Sequence, residues 1–187
     1  MATSSYSYLE KLGEYLVRSR GKRKSKTKLT KKVLDIGLGF GKNGYIIREY
    51  LELWRGNDVS PSTWKSTIHG IEAYRPYIHS WQRDIYDEVF IGNALTVLPR
   101  LPNYDFIIMT DVLEHFEKED GFKMLDLIKE KSNDFFITTP QNPSKQGAVN
   151  GNEYERHRSV FTIEELQQYG VVDVQSDGIL LLRGGDV

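Results

Sequence analysis

Side chains able to transfer a proton occur at two places in the sequence. Asp111, Glu114 and His115 lie three and four residues apart, which on a helix would place them on one face. His157 stands in a long polar loop between two arginines that could bind a carboxylate or a phosphate. Histidine titrates near neutral pH, so His157 and His115 are the candidate general bases, with His157 preferred and Asp111 as a third catalytic candidate.

A glycine-rich turn follows the apolar stretch 33–36. It carries three alternating glycines, which are Gly37, Gly39 and Gly41. A helix is predicted to begin near Asn43, so the turn would present close backbone and unpaired N–H groups to a ligand. Asp35 precedes the first glycine by two positions, and its carboxylate can bind a cationic amino group. The pattern predicts a cradle for a cofactor.

Two common cradles do not fit this turn. A phosphate-binding P-loop requires Ser or Thr after Gly-Lys, but Asn43 follows Lys42. A dinucleotide turn requires a third Gly or Ala at the position that Lys42 occupies. A nicotinamide-dependent oxidoreductase is therefore the weakest alternative.

The elements that would position these residues alternate along the chain as strands and helices. The predicted strands are 33–36, 68–72, 88–92, 105–110, 134–138, 171–175 and 179–183. Helices are predicted over 5–19, from 43, over 73–81 and 119–131, and after a Thr162–Glu165 capping box. Ligands of open α/β sheets bind at the carboxyl ends of strands, where Glu72, Asn93 and Asp111 would lie.

This order, together with Asp-x-Gly-x-Gly-x-Gly at 35–41, resembles the class I S-adenosylmethionine (SAM) dependent methyltransferases. The sequences at 111–116 and 155–162 resemble the small-molecule branch of that family. The resemblance implies an α/β, Rossmann-like, seven-stranded and mostly parallel sheet with a C-terminal antiparallel hairpin and helices on both faces. In this family the acid at position 72 would bind the ribose hydroxyls and Asn93 the adenine amino group. The implied cofactor-binding residues are Asp35, Gly37, Leu38, Gly39, Gly41, Glu72, Asn93, Ala94, Thr110 and Asp111.

The implied activity is methyl transfer from SAM to a hydroxyl or carboxyl group of a small molecule or sugar, with S-adenosylhomocysteine (SAH) as product. Two alternatives remain open, an RNA or ribonucleoprotein methyltransferase and a SAM-binding regulatory module without turnover. Some relatives place a divalent ion among residues spaced like Asp111, Glu114, His115 and His157. Asp111 is shorter than the Glu of that pattern, so no metal is the preferred expectation.

Composition limits the remaining possibilities. The chain has no cysteine, which excludes disulfides, thiolate metal sites and a cysteine nucleophile. No apolar run approaches the ~20 residues of a membrane span, and a cytoplasmic protein without membrane contact is expected. Two parts are predicted, an N-terminal amphipathic helix and basic linker over 1–32 and the methyltransferase domain over 33–187. Nine Lys or Arg residues within 18–32, with no acid among them, could contact an anionic surface or a nucleic acid.

Overall fold

The computed structural model describes residues 6–21, 31–56 and 59–185. The strands are β1 (Lys32–Ile36), β2 (Thr67–Glu72), β3 (Glu88–Ile91), β4 (Phe106–Thr110), β5 (Phe135–Pro140), β6 (Val171–Val174) and β7 (Ile179–Arg183). They form one seven-stranded sheet in the order β3-β2-β1-β4-β5-β7-β6. Adjacent strands among β1 to β5 are parallel, and β7 is antiparallel to both β5 and β6. The predicted mostly parallel sheet with a terminal hairpin is confirmed.

Helices cover both faces of this sheet, as predicted. They are α1 (Leu9–Gly21), α2 (Lys42–Leu51), α3 (Ser80–Ile85), α4 (Ala94–Val97), α5 (Lys118–Lys131) and α6 (Ile163–Gln167). Helices α1 to α3 pack on one face through residues such as Leu12 and Ile47, and α4 to α6 pack on the other through Met124 and Leu166. Strands β1 and β4 are buried between the two layers, which explains their continuous apolar sequences.

The strand register brings the ligand-binding loops together at one edge of the sheet. Ile36 of β1 pairs with Ile71 of β2 and with Met109 of β4, so these three strands end at the same level. The glycine turn, Glu72 and Thr110 therefore meet at that edge, although they are widely separated in the sequence.

The predicted helix over 73–81 is wrong. The chain instead makes a single 3₁₀ turn at Arg75–Tyr77 and starts α3 only at Ser80. Pro76 disfavours helical backbone at the residue before it, which shortens the first segment. The start of α3 is stabilised by Gln82, whose Oε1 accepts a hydrogen bond from the His79 N–H at 2.9 Å. The capping box predicted at Thr162 and Glu165 is confirmed.

The N-terminal helix is part of the folded core. Tyr8, Leu12 and Leu16 are buried against the same cluster that contains Val33 of β1 and Phe136 of β5. Residues 1–5 and 22–30, and the side chains of 18–21, lie outside the described part, so most of the basic run does as well. Within the described residues, no helix combines the length and apolar character needed to cross a bilayer.

Candidate functional site

A cavity of about 340 Å³ lies at the carboxyl ends of β1, β2, β3 and β4. Eight of the ten predicted cofactor residues line it, which are Gly37, Leu38, Gly39, Glu72, Asn93, Ala94, Thr110 and Asp111. His115 lines the same cavity from the loop after β4, and Arg158 lines it from the loop after β5. The predicted cofactor region and one candidate base thus share a single cavity.

The glycine turn forms the floor of the cavity. Gly37, Gly39 and Gly41 all have positive φ angles, of 72°, 49° and 94°. Residues with a Cβ rarely adopt such angles, so the turn depends on glycine. At Gly37 space is also lacking, because an added Cβ would lie 2.3 Å from Cγ2 of Val112. The turn is therefore in close contact with the loop that follows β4.

Glu72 is held rigidly at the end of β2. Its side chain is nearly buried, with 6% of the residue exposed. Oε2 accepts a hydrogen bond from the Gly39 N–H at 3.0 Å, and Oε1 accepts one from the Tyr74 N–H at 2.8 Å. The burial raises the pKa of Glu72, while these two hydrogen bonds act in the opposite direction. A fixed carboxylate with both oxygens oriented can accept further hydrogen bonds from a diol.

Asn93 occupies the corresponding position after β3. Its Oδ1 caps α4 by accepting a hydrogen bond from the Leu95 N–H at 2.9 Å. The predicted hydrogen bond from an adenine amino group to Asn93 would use the second lone pair of this oxygen, because the Leu95 N–H occupies the first. Ala94 follows it on the cavity wall.

Asp35 and Gly41 are the two predicted cofactor residues that do not line the cavity, so their direct contact with a cofactor stays a prediction that the lining does not support. Asp35 is fully buried below the turn. Its Oδ2 accepts a hydrogen bond from the Tyr86 hydroxyl at 2.6 Å, and its Oδ1 accepts one from Asn43 Nδ2 at 3.2 Å. Leu34 and Ile36 of β1 pack in the cluster on the side of α4 to α6. The Asp35 carboxylate points to the other side, where it supports the start of α2 and does not line the cavity.

The burial of Asp35 gives a testable pH dependence. Burial raises its pKa from 3.8 to about 6, so below 3.8 both folded and unfolded chains carry the protonated form. As the pH rises toward 6, Asp35 ionises in the unfolded chain but not in the folded one, so the free energy of unfolding decreases. We expect urea denaturation to show wild type losing about 1.4 kcal/mol per pH unit relative to Asp35→Asn across this window. Parallel pH profiles for the two proteins would contradict this assignment.

Thr110 and Asp111 line the cavity at the end of β4, between the glycine turn and the loop that carries His115. Asp111 has a positive φ of 51°, an uncommon value for a residue other than glycine. Its Oδ1 accepts a hydrogen bond from the Thr138 hydroxyl at 2.9 Å. Thr110 Oγ1 accepts one from Asn43 Nδ2 at 3.0 Å. These contacts hold Asp111 against β5 and Thr110 against the first turn of α2.

His115 and His157 are neighbours, but only His115 lines the cavity. Their ring centroids are 5.1 Å apart. His115 Nδ1 lies 3.2 Å from the Arg156 carbonyl oxygen, and His157 Nδ1 lies 2.6 Å from that of Ser144. A carbonyl only accepts, so each Nδ1 is assigned the proton and each Nε2 the lone pair. The tautomer does not separate the two histidines, but the cavity lining does, and the choice of His157 or His115 as base stays a prediction.

The two arginines beside His157 have structural contacts. Arg156 pairs with Glu153 at 3.0 Å and does not line the cavity. Arg158 donates to the carbonyl oxygens of His115 at 3.0 Å and Glu153 at 2.9 Å, and it lies 3.5 Å from a carboxylate oxygen of Glu117. These bonds hold the loop after β5 against the cavity and do not support binding of an anionic reactant.

The metal pattern is assembled only in part. Ligand atoms of Glu114, His115 and His157 lie within 4.8 Å of one another, and Asp111 does not belong to this group. The Glu114 carboxyl is buried, accepts a hydrogen bond from the Thr139 hydroxyl at 3.0 Å, and has its pKa raised to about 8 by burial. A protonated carboxyl is a poor metal ligand at neutral pH. The expectation that these residues hold no metal stays a prediction, and the alternative site would lack Asp111.

Other wall residues were not predicted from the sequence. Lys42 and Asn43 directly follow the glycines, so their proximity to a ligand was a signal that could have been used. Tyr77, Asn152 and Glu155 reach the cavity through irregular segments without a recognisable pattern. Gln82 lies behind the wall, where its Nε2 donates to the carbonyl oxygens of Gly39 at 3.0 Å and Tyr77 at 2.7 Å.

Comparison with known proteins gives a result at the level of structure. No protein-family profile and no curated protein matches the sequence. Solved structures do match, including the N-terminal domain of EvdMO1 in the presence of SAH and D-fucose, with a TM-score of 0.61, 12% identity, and coverage of 98% of this chain and 85% of that one. The chain has the class I methyltransferase fold.

Two other methyltransferase-fold structures extend this comparison. Magnesium protoporphyrin IX methyltransferase (ChlM) from Synechocystis PCC 6803, with bound SAH, has a TM-score of 0.57 at 13% identity, covering 95% of this chain and 82% of that one. The DhpI-SAM-HEP complex has a TM-score of 0.57 at 12% identity, covering 96% and 87%. At such low identities the likeness establishes the fold, and the reaction has to be argued from the cavity.

Proposed function

We propose that this protein transfers the methyl group of SAM to a hydroxyl group of a small molecule. The observation that supports this proposal most strongly is that the glycine turn, Glu72, Asp111 and His115 line one cavity. The turn and Glu72 would hold the nucleoside half of the cofactor. The sulfonium methyl would then point toward the half lined by His115. The methyl group is already activated, so positioning and removal of the acceptor proton are what the protein must supply.

The charges on the wall support a hydroxyl acceptor over a carboxylate. Among the described residues, two permanent cations line the cavity, Lys42 and Arg158. The carboxylates that line it are Glu72, Asp111, Glu117, Asp120 and Glu155. Five acids against two cations leave an excess of three negative charges, which would repel an anionic acceptor. A neutral hydroxyl, as in a sugar or other small metabolite, meets no such penalty.

The charges on the wall weigh against an RNA substrate, and the extent of the cavity weighs against a regulatory module. Phosphates of an RNA would approach an acidic cavity, although docking through residues 18–32 stays a prediction that the salt dependence of RNA affinity would test. A regulatory module without turnover would favour a filled acceptor side, whereas the cavity extends past Asp111 to His115 and Phe116.

The cofactor assignment predicts a defined loss of affinity in Glu72→Gln. The amide places a donor against the N–H of either Gly39 or Tyr74 and removes an acceptor for the ribose. We expect calorimetric titration with SAH to show affinity about tenfold to a hundredfold weaker than wild type. The control is Glu49→Gln, which changes an exposed acid on α2. Equal affinities for the two variants, or no binding of SAH to wild type, would contradict the proposal.

The acceptor assignment is tested by a screen with labelled SAM. Pools of neutral hydroxyl compounds, amines and carboxylic acids would be incubated with the wild-type protein. We expect label in the hydroxyl pool. Label confined to carboxylic acids would show that the acidic wall does not select the acceptor.

A further inference from the structure

Lys42 is one of the two Lys or Arg residues that line the cavity within the described part of the chain. It is the first residue of α2, directly after the glycine turn, and its side chain is half-buried on the wall. Its Nζ lies 4.5 Å from the ring centroid of Tyr6 and 4.9 Å from that of Tyr8. Two aromatic faces at this distance attract an ammonium group and restrict where it can lie.

Tyr8 is itself fixed by contacts in the interior. It is fully buried and packs against Phe136, with ring centroids 6.0 Å apart. Its hydroxyl donates to Asn43 Oδ1 at 2.7 Å, and Asn43 Nδ2 in turn donates to Thr110. Asn43 and Thr110 both line the cavity. The segment before α1 therefore contributes to the position of the Lys42 ammonium.

The other cation that lines the cavity, Arg158, has hydrogen bonds and an ion pair with neighbouring loops. Arg158 donates to the backbone carbonyls of His115 and Glu153 and pairs with Glu117. The ammonium group of Lys42 is attracted by the negative charges of Asp111 and Asp35. Lys42 and Asp111 both line the cavity, and Asp111 follows β4, which β1 separates from β2 and β3 in the sheet.

This pair of charges matches the amino-acid end of SAM, which carries a carboxylate and an ammonium group. We propose that Lys42, positioned by Tyr6 and Tyr8, binds the carboxylate of the cofactor, while Asp111 faces its ammonium group. The inference rests on the proposed function, because it assumes that the nucleoside half lies at Glu72 and Asn93. It assigns the N-terminal segment a part in cofactor recognition.

The test compares SAH with its decarboxylated analogue, the 3-aminopropyl thioether of adenosine, which keeps the ammonium group. Calorimetric titration would use the full chain. We expect Lys42→Met to weaken SAH binding about tenfold to a hundredfold and to leave binding of the analogue unchanged. Tyr6→Leu, which removes one aromatic face, should weaken SAH binding selectively but less. Lys129→Met is the matched control, because Lys129 is exposed on α5, lies over the ring of Tyr169 and does not line the cavity.

Each outcome decides the assignment. Lys42→Arg keeps a cation and should retain the preference for SAH, and it also serves if the Met variant does not fold. An equal loss for SAH and the analogue in Lys42→Met would overturn the role of Lys42 and leave the proposed function standing. If the wild-type protein binds neither compound, the proposed function fails and the role of Lys42 fails with it.

Discussion

Replacing His115 by Ala is expected to lower the turnover of methyl transfer by about a hundredfold to ten-thousandfold, the usual contribution of a positioned general base. Affinity for SAH should stay close to wild type, because the imidazole lies in the half of the cavity assigned to the acceptor. The measurement is single-turnover transfer from labelled SAM at saturating acceptor, together with calorimetric titration of SAH.

The pH profile separates a base from a merely structural histidine. Burial lowers the pKa of His115 below its ordinary value of 6.5, so the neutral and basic form predominates at pH 7. Activity should therefore fall only as the pH drops below that ordinary value, and the fall should be absent from the residual activity of His115→Ala. A structural residue would change the rate without removing this limb.

His157→Ala is the matched control for this prediction. His157 has the same kind of backbone contact as His115, since its Nδ1 meets a carbonyl oxygen, but it does not line the cavity. We expect its turnover to remain within about tenfold of wild type. A larger loss for His157→Ala than for His115→Ala would restore His157 as the base.

Replacing Arg48 by Met is expected to destabilise the protein by about 3–5 kcal/mol, since it removes the counter-ion of a buried acid, Glu52. Arg48 is 3% exposed, and its guanidinium donates to the carbonyl oxygens of Ile85 at 2.9 Å and Ser66 at 2.7 Å and to Asp87 at 2.7 Å. It lies 3.7 Å from Glu52, which is fully buried. Urea denaturation monitored by circular dichroism would measure the free energy of unfolding.

A double variant tests the cause of this loss. Glu52 also accepts hydrogen bonds from the N–H groups of Lys65 and Ser66, so it holds the segment before β2. Adding Glu52→Gln to Arg48→Met removes the uncompensated charge and should recover part of the stability. The control Arg83→Met changes an exposed residue of α3 and should have little effect. An Arg48→Met loss below about 1 kcal/mol would show that water replaces the lost contacts.

Most strands and helices, and the positions of the glycine turn, Glu72 and Asn93 at the strand ends, could be predicted from local patterns in the sequence. The glycine turn, the strand ends at Glu72 and Asn93, and the capping box at Thr162 depend on neighbouring residues, and each was found where predicted. The helix over 73–81 failed because Pro76 and the His79–Gln82 contact divide it. Arg48 and Tyr8 gave no signal, because their partners Asp87 and Asn43 lie 39 and 35 positions away. The choice between His115 and His157 likewise depended on long-range packing.

The close approach of Gly37 to Val112 has a practical consequence for protein engineering. A methyl group of Val112 fills the space where a Gly37 side chain would stand, so the two halves of the cavity share one wall. Randomised libraries built to broaden the acceptor range would naturally include position 112. Such libraries should keep valine there and vary Phe116 and Tyr154 instead. A bulkier residue at 112 would displace the glycine turn, and the resulting variants would no longer bind the proposed cofactor.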